Sequence, residues 1–425
     1  MIEHFTNMRD LNGCLAEALN LIDSNIENHH QQTAYLAYMI AKETDFDDAM
    51  LYQTRFSALI HDIGFITMEN PGSIAELERD AKNIAEKGAK LIEAFPESRD
   101  TANVVRYCQS SWREYLSIPE EDREKYKNSA RIASVVHLAD VVSAIVRPDV
   151  SVLNQVKPIR EAVKSLRETE FSGEAVDAFL KASDNEFVWM DLRYNPHFLD
   201  YFVGEIKAVS LDRTAELTAV MSHIIDYRSS FTAMHSAGVA ASATALARFA
   251  GMSDDECKMM TIAGHLHDIG KLKVPRSILE KPGKLTEEEF NIIKEHPYYT
   301  RLNMMNVEGF EKIANWAGFH HEKLNGKGYP FHFGAADLDT GSRIVAVADI
   351  FSAITEVRPY RAGMDRAQAL AVLSDNVRSG GIDGDIVALL NDHYDEVDRL
   401  REEAARSEGE RYYNSISKPI NKADG

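Results

Sequence analysis

His61-Asp-Ile-Gly64 returns, letter for letter, as His267-Asp-Ile-Gly270, and that repeat decides how the rest of the chain is read. At the same distance upstream of each tetrapeptide stands a histidine, His29 (with His30 beside it) and His235. Downstream, His137-Leu-Ala-Asp140-Val-Val-Ser-Ala-Ile parallels Ala346-Val-Ala-Asp349-Ile-Phe-Ser-Ala-Ile. Further on, Ser172-Gly-Glu174 matches Asp383-Gly-Asp385. Four anchors in one order at nearly constant offset mark an internal duplication. The first copy is expected over residues 1–193, a connector around Tyr194-Asn-Pro196 over 194–204, and the second copy over 205–425 with a frayed, charged tail from about Glu408.

The segments between the anchors carry helical periodicity. From Leu11 to Ala41, apolar residues recur at Leu15, Leu19, Ile22, Ile26, Ala34, Ala37 and Ile40, spacings of three and four. Thr286-Glu-Glu-Glu289 is a capping box that starts a further helix. Strict alternation is scarce, and 23 Gly with 12 Pro in 425 residues fall below the usual ~12% for such residues. The expected fold is all-α, two homologous helical bundles.

With 67 acidic and 47 basic residues, the formal charge is −20. That balance argues against general nucleic-acid or membrane-surface binding through a positive field. A phosphorylated substrate then needs local help from metals or a few placed bases. Cys14, Cys108 and Cys257 are far apart and read as free thiols of a reducing compartment. Neither a signal peptide nor an uninterrupted apolar run of ~18 residues is evident, so the expected location is cytoplasmic.

The second copy gathers His235, His267, Asp268, His296, His320, His321 and Asp349. Nitrogen and carboxylate donors without thiolate suit Fe, Mn, Zn or Ni. Taken alone, each histidine is an ordinary core or surface residue; seven such donors in order point to metal. Adjacent ligands such as His267-Asp268 and His320-His321 cannot both face one spot from a regular helix, but at a helix end they can serve two neighbouring ions bridged by a carboxylate. Two ions ~3.5–4 Å apart activate a water and hold both oxygens of an in-line phosphoryl displacement.

The set His235, His267-Asp268 and Asp349 resembles the ligand pattern of the HD superfamily of metal-dependent phosphohydrolases. His267-Asp-Ile-Gly-Lys271, Glu295-His-Pro297 and His320-His-Glu-Lys-Leu-Asn-Gly326-Lys-Gly328-Tyr329-Pro330 resemble its HD-GYP subfamily over about residues 205–400; a weaker HD pattern covers much of 1–193. The resemblance implies a helical bundle with two or three Fe or Mn ions and phosphodiesterase activity on a cyclic dinucleotide, giving a linear 5′-phosphorylated product. It implies that the seven side chains are metal ligands with Asp268 the bridge, and that Lys271 acts at the scissile phosphate. It implies substrate contacts from Gly326, Gly328, Tyr329, Pro330, Arg358 and Arg361. A second copy of the chain and proteins of a second-messenger pathway are compatible partners; DNA and membrane are not expected.

Three positions depart from that pattern. Phe231, four residues before His235, stands where three-metal relatives carry Glu, so two ions are expected; Asp226 is judged too far along a helix to substitute. Ser352 and Asn325 replace acids that the family often carries, which makes 3′,3′-cyclic GMP-AMP an alternative to cyclic di-GMP. In the first copy His29, His61, Asp62 and Asp140 persist as a vestigial metal set. Phe65 replaces the lysine, no histidine follows between Lys82 and Tyr115, and Gln109-Ser-Ser-Trp112 takes roughly the place of the histidine pair. A regulatory or packing role is expected for this degenerate HD domain. The competing readings are a non-catalytic scaffold that only binds the dinucleotide, and another HD-type nucleotide phosphohydrolase.

Overall fold

The structure, a computed structural model, describes residues 5–21, 28–67, 74–93, 99–194, 208–227, 234–356 and 362–417. Phe231, Arg358, Arg361, most of the expected connector (195–204) and residues 418–425 lie outside the described residues. The chain divides into two compact units, Leu15–Ile206 and Lys207–Gly425, the latter including Met1–Cys14. The opening residues therefore belong with the second unit rather than the first. Thr6–Asn7 pairs antiparallel with Ala208–Val209, the one sheet among the described residues. All else of regular structure is helical.

Within the first unit, helix His29–Ala41 packs on Asp48–Ile60, Lys127–Ile145 and Gly173–Ala182. In the second unit, His235–Phe249 packs on Asp254–Leu266 and Thr340–Thr355 with the same order of partners. The corresponding second helices start at capping residues with extended backbone. Asp47 accepts from the amide of Met50, and Ser253 from that of Glu256, whose carboxylate returns the bond. Ser172 and Asp383 likewise cap Gly173–Ala182 and Gly384–Asp392. The duplicated letters thus mark both ligands and helix starts. Each unit has its own core, around Tyr35, Phe171, Phe179 and Trp189 in one and Phe310, Trp316 and Phe351 in the other.

The periodic stretch Leu11–Ala41 is helical over Met8–Asn20 and again from His29, entered after Asn28 with φ of 63°; Ile22 and Ile26 lie outside the described residues. The tail is helical to Ser417 in Tyr394–Ser417, and Glu408 is buried in an ion pair with His223. Glu408 packs against His223 there, and residues 418–425 of the expected frayed tail lie outside the described residues.

Candidate metal centre

Helix ends present most of the candidate ligands of the second unit. His267 is the C-cap of Asp254–Leu266, and Asp268 (φ −102°, ψ 7°) opens the 3-10 turn Ile269–Lys273. The break from α-helical geometry is what lets both neighbours face one side. His320 and His321 follow the end of Glu311–Gly318, while His235 and His296 begin their helices. Asp349 lies inside Thr340–Thr355.

Three rings share a tautomer-fixing contact. Nδ1–H of His267 donates to the Gly264 carbonyl at 2.8 Å, that of His296 to Ile293 at 2.6 Å, and that of His320 to Ala317 at 2.6 Å. Each Nε2 is left as a lone pair turned inward. His296 Nε2 and His320 Nε2 stand 3.2 Å apart. Burial lowers these rings to about 3 and about 4, so neither offers a proton to the other near neutrality. Two facing lone pairs, together with buried His267 Nε2 and Asp268 Oδ1 that no hydrogen bond reaches, fit a cation between them.

The carboxylates join two groups of donors. His235 Nε2 lies 3.0 Å from Asp349 Oδ1, and His267 Nε2 3.2 Å from Asp268 Oδ2. Asp268 Oδ1 faces the other way, 3.5 Å from His296 Nε2 and 3.8 Å from His320 Nε2. Asp349 Oδ2 is 3.9 Å from His321 Nδ1, the most open of the rings. Metal-ligating geometry gathers His235, His267 and Asp268 in one group and His296, His320 and His321 in another. Burial opposes ionisation of both carboxylates, but the surrounding histidines, and Lys271 beside Asp268, hold both well below the ordinary range. Burial likewise works against His235, yet Asp349 and Glu356 carry it up to about 10. Lys271 Nζ is 2.5 Å from Asp268 Oδ2, and that carboxylate outweighs burial to keep the ammonium charged.

Beside the centre, Gly326 adopts φ of 70°, and a Cβ on Gly328 would fall 2.4 Å from the Glu322 Cα. Pro330 follows the half-buried Tyr329, whose ring centroid is 4.9 Å from that of His321, one side of the centre's mouth. Glu322, to which the sequence assigned no role, holds this loop: its buried carboxylate accepts from the amides of Phe331 at 2.7 Å and Phe333 at 3.0 Å. Asn325 bonds the Ser379 carbonyl and the Lys327 amide, so it shapes the turn. Ser352 is 2% exposed on the face toward Gly238, which places that position in the core rather than on a base-reading surface.

Two further acids adjoin His235. Asp226 ends its own helix, Leu211–Asp226, and accepts from Ser236 Oγ at 2.8 Å, so it lies nearer His235 than turns counted along one helix imply, though outside the metal-sized donor groups. Burial pushes its carboxyl well above the ordinary range. Glu356 Oε2 lies 3.7 Å from His235 Nδ1, the nitrogen turned away from Asp349, and orients the ring from behind. Glu356 stands seven residues after Asp349, two turns on the same helical face, and that spacing was a legible signal.

The first unit assembles its tetrad too. His29 Nε2 is 3.0 Å from Asp140 Oδ1, and His61 Nε2 is 3.2 Å from Asp62 Oδ2 and 3.4 Å from Asp140 Oδ1. The other ligand places are filled differently. The close approach of Gly270 to the His296 carbonyl recurs between Gly64 and the Ile84 carbonyl, so Ile84 takes the place of His296. Cys108 Sγ donates three residues back to Val105 as His320 does to Ala317, and Gln109 Nε2 donates to Asp140 Oδ2 where His321 faces Asp349. The pair replaced is thus Cys108-Gln109, one residue earlier than the stretch expected from sequence.

HD-domain family profiles match residues 219–386 and, separately, residues 26–145. The chain is 29% identical over 402 residues to 3′3′-cGAMP-specific phosphodiesterase 1 of Vibrio cholerae, covering 92% of each chain. It is 37% identical over 146 residues to a cyclic di-GMP phosphodiesterase of Pseudomonas aeruginosa, 34% of this chain and 35% of that protein. The solved cyclic GMP-AMP-specific phosphodiesterase V-cGAP3 of V. cholerae shares the fold, with TM-score 0.61 and 21% identity over 92% of this chain and 98% of that one. Each unit is an HD domain, and the chain belongs to the HD superfamily, its second unit being of the HD-GYP type.

Proposed function

We propose that the second unit hydrolyses a 3′,3′-linked cyclic dinucleotide to a linear 5′-phosphorylated dinucleotide, using two divalent ions, iron or manganese. The observation that carries this reading is the pair of donor groups joined by Asp268 and Asp349, since each carboxylate presents one oxygen to either group. His235, His267, Asp268 and Asp349 would hold one ion, and His296, His320 and His321 with the second oxygens of Asp268 and Asp349 the other. When bound, such ions supply Lewis-acid polarisation of a phosphoryl group and a nucleophilic water at neutral pH. Lys271 keeps its charge beside Asp268 and is placed to offset negative charge gathering on the phosphoryl oxygens. Tyr329 offers an aromatic face and a hydroxyl at the mouth, held by the Gly326–Pro330 turn and Glu322; Arg358 and Arg361 complete the proposed substrate contacts.

Cyclic GMP-AMP is the favoured substrate, because the relative matched along nearly the whole chain is named for it. Asn325 shapes its turn and Ser352 is buried, and the preference for cyclic GMP-AMP rests on neither. The first unit, with Ile84, Cys108 and Gln109 in ligand places, is proposed as regulatory or structural. No described helix is long and apolar enough to cross a membrane, and a cytoplasmic setting suits three buried cysteines that form no disulfide. Turnover of cyclic GMP-AMP, cyclic di-GMP and cyclic di-AMP by metal-loaded protein, with product mass, tests the proposal. A linear dinucleotide from cyclic GMP-AMP is expected; binding without hydrolysis of all three would favour the scaffold reading.

A further inference from the structure

His30 has no counterpart among the ligands of the second unit, where Ser236 takes its place and bonds Asp226. In the first unit the His30 ring joins His29 and His61 in a nearly equilateral triangle, with centroid separations of 5.8, 5.5 and 5.4 Å. His30, His61 and Asp62 form one metal-sized group of donors, and His29, His61 and Asp140 another. Asn20 Oδ1 accepts from His30 Nδ1 at 2.6 Å, and the Asn20 amide is fixed in that sense by donating to Gln31 Oε1 at 2.8 Å. His30 Nε2 is then the lone-pair nitrogen; it is buried, and no hydrogen bond reaches it. His61 repeats the arrangement, donating Nδ1–H to Ala58 at 2.8 Å while its own buried Nε2 also lacks a hydrogen bond. The two groups meet at His61, and outer acceptors that lock imidazoles with Nε2 left as the lone-pair nitrogen are the support expected around a bound metal.

We propose that the first unit binds one divalent cation through His29, His30, His61, Asp62 and Asp140, with His30 an added ligand, and that this ion ties three helices together instead of serving hydrolysis. Two carboxylates neutralise one divalent charge, and imidazole with carboxylate suits Zn, Fe, Mn or Ni. A second ion finds no cradle, because Ile84, Cys108 and Gln109 supply an alkyl group, a thiol and an amide where the second unit has three imidazoles. The ligands come from helix His29–Ala41, from the end of Asp48–Ile60 and from Lys127–Ile145. Binding to the folded arrangement alone stabilises it.

The test counts ions, needs no turnover, and so stands or falls separately from the substrate reading. Full-length protein loaded with Mn(II) and dialysed is compared with Asp140→Ala, His30→Ser and Asn20→Ala by elemental analysis and Mn(II) titration. His30→Ser installs the residue that the second unit carries at this place, and Asn20→Ala leaves every ligand intact. Asp140→Ala should hold one ion fewer per chain. His30→Ser and Asn20→Ala should each bind that ion about tenfold or more weakly, and His30→Ser should lose the chelator-sensitive part of the first unit's thermal unfolding. An unchanged ion count in Asp140→Ala overturns the site. Unchanged affinity in both His30→Ser and Asn20→Ala overturns the ligand role of His30.

Discussion

Lys271 Nζ sits 2.5 Å from Asp268 Oδ2, three residues along the same 3-10 turn, so the one ammonium at the centre leans on the carboxylate that faces both donor groups. Lys271→Ala should lower kcat by about 10²–10³, the usual cost of removing one preorganised charge-stabilising donor. Metal content should stay at the wild-type value. A kcat within twofold of wild type, at equal metal loading, would assign Lys271 to packing only.

Asp268→Ala removes the carboxylate that lies between His267 and the His296–His320 pair. Turnover should vanish and bound metal should fall, while circular dichroism stays helical, because the turn is held independently by Thr300, which donates to the His267 carbonyl at 2.9 Å and accepts from Gly270 N at 3.1 Å. His267→Ala should behave alike. Near-normal activity with metal retained in Asp268→Ala would sink the two-ion reading.

Hydrolysis should reside in one unit. In the full chain, His320→Ala with His321→Ala should abolish all cyclic-dinucleotide cleavage, since no equivalent imidazoles exist at Cys108 and Gln109. Residual cleavage that disappears on adding Asp140→Ala would place a second hydrolytic centre in the first unit.

Glu322→Ala leaves the amides of Phe331 and Phe333 without their shared acceptor. Charged hydrogen bonds are worth about 1.5–3 kcal/mol each, so the loop that carries Tyr329 should loosen. KM should rise about tenfold with metal content unchanged; a pure loss of kcat would contradict a substrate-holding role for the loop.

Asp383 caps Gly384–Asp392 and accepts from Arg343 at 2.8 Å. Burial opposes its ionisation, but the Arg343 bond and two amides outweigh that and hold its carboxyl below the ordinary value. A depressed carboxyl contributes stability above its unfolded pKa of about 3.9, lost as pH falls through the folded value. Asp383→Ala should therefore cost about 1–2 kcal/mol near neutrality, and the gap from wild type should narrow below about pH 4. Chemical denaturation at pH 7 and pH 3.5 checks both the size and the sign.

The duplication, the all-helical architecture and the seven-residue donor set were legible because short motifs fix helix ends, and helix ends fix ligands. What escaped the letters was long-range geometry. Asp226 looked remote from His235 along one helix, but the chain ends a helix at Asp226 and starts another at His235, bringing them together through Ser236. Position 352 reads from sequence as one where an acid could contact the base, but Ser352 lies on the face of Thr340–Thr355 toward Gly238, in the core. Glu322 was hidden among 67 acidic residues, since burial alone separates it from solvated ones, whereas Glu356 could have been found by its spacing of seven from Asp349. The helical tail to Ser417 was illegible because its anchor, His223, lies far back in sequence.

Gly64 and Gly270 each lie so close beneath a carbonyl, that of Ile84 and of His296, that a Cβ would come within 2.0 Å of the oxygen. The glycine is thus a clearance between two helices, and it is indifferent to what the upper residue's side chain does. A copy that lost its other donors could go on spelling His-Asp-Ile-Gly for as long as its helices touch there. A census of hydrolytic centres made by counting that tetrapeptide would find two in this chain. The letters in which the two units part stand on the far side of the gap, at 84 against 296, 108 against 320 and 109 against 321.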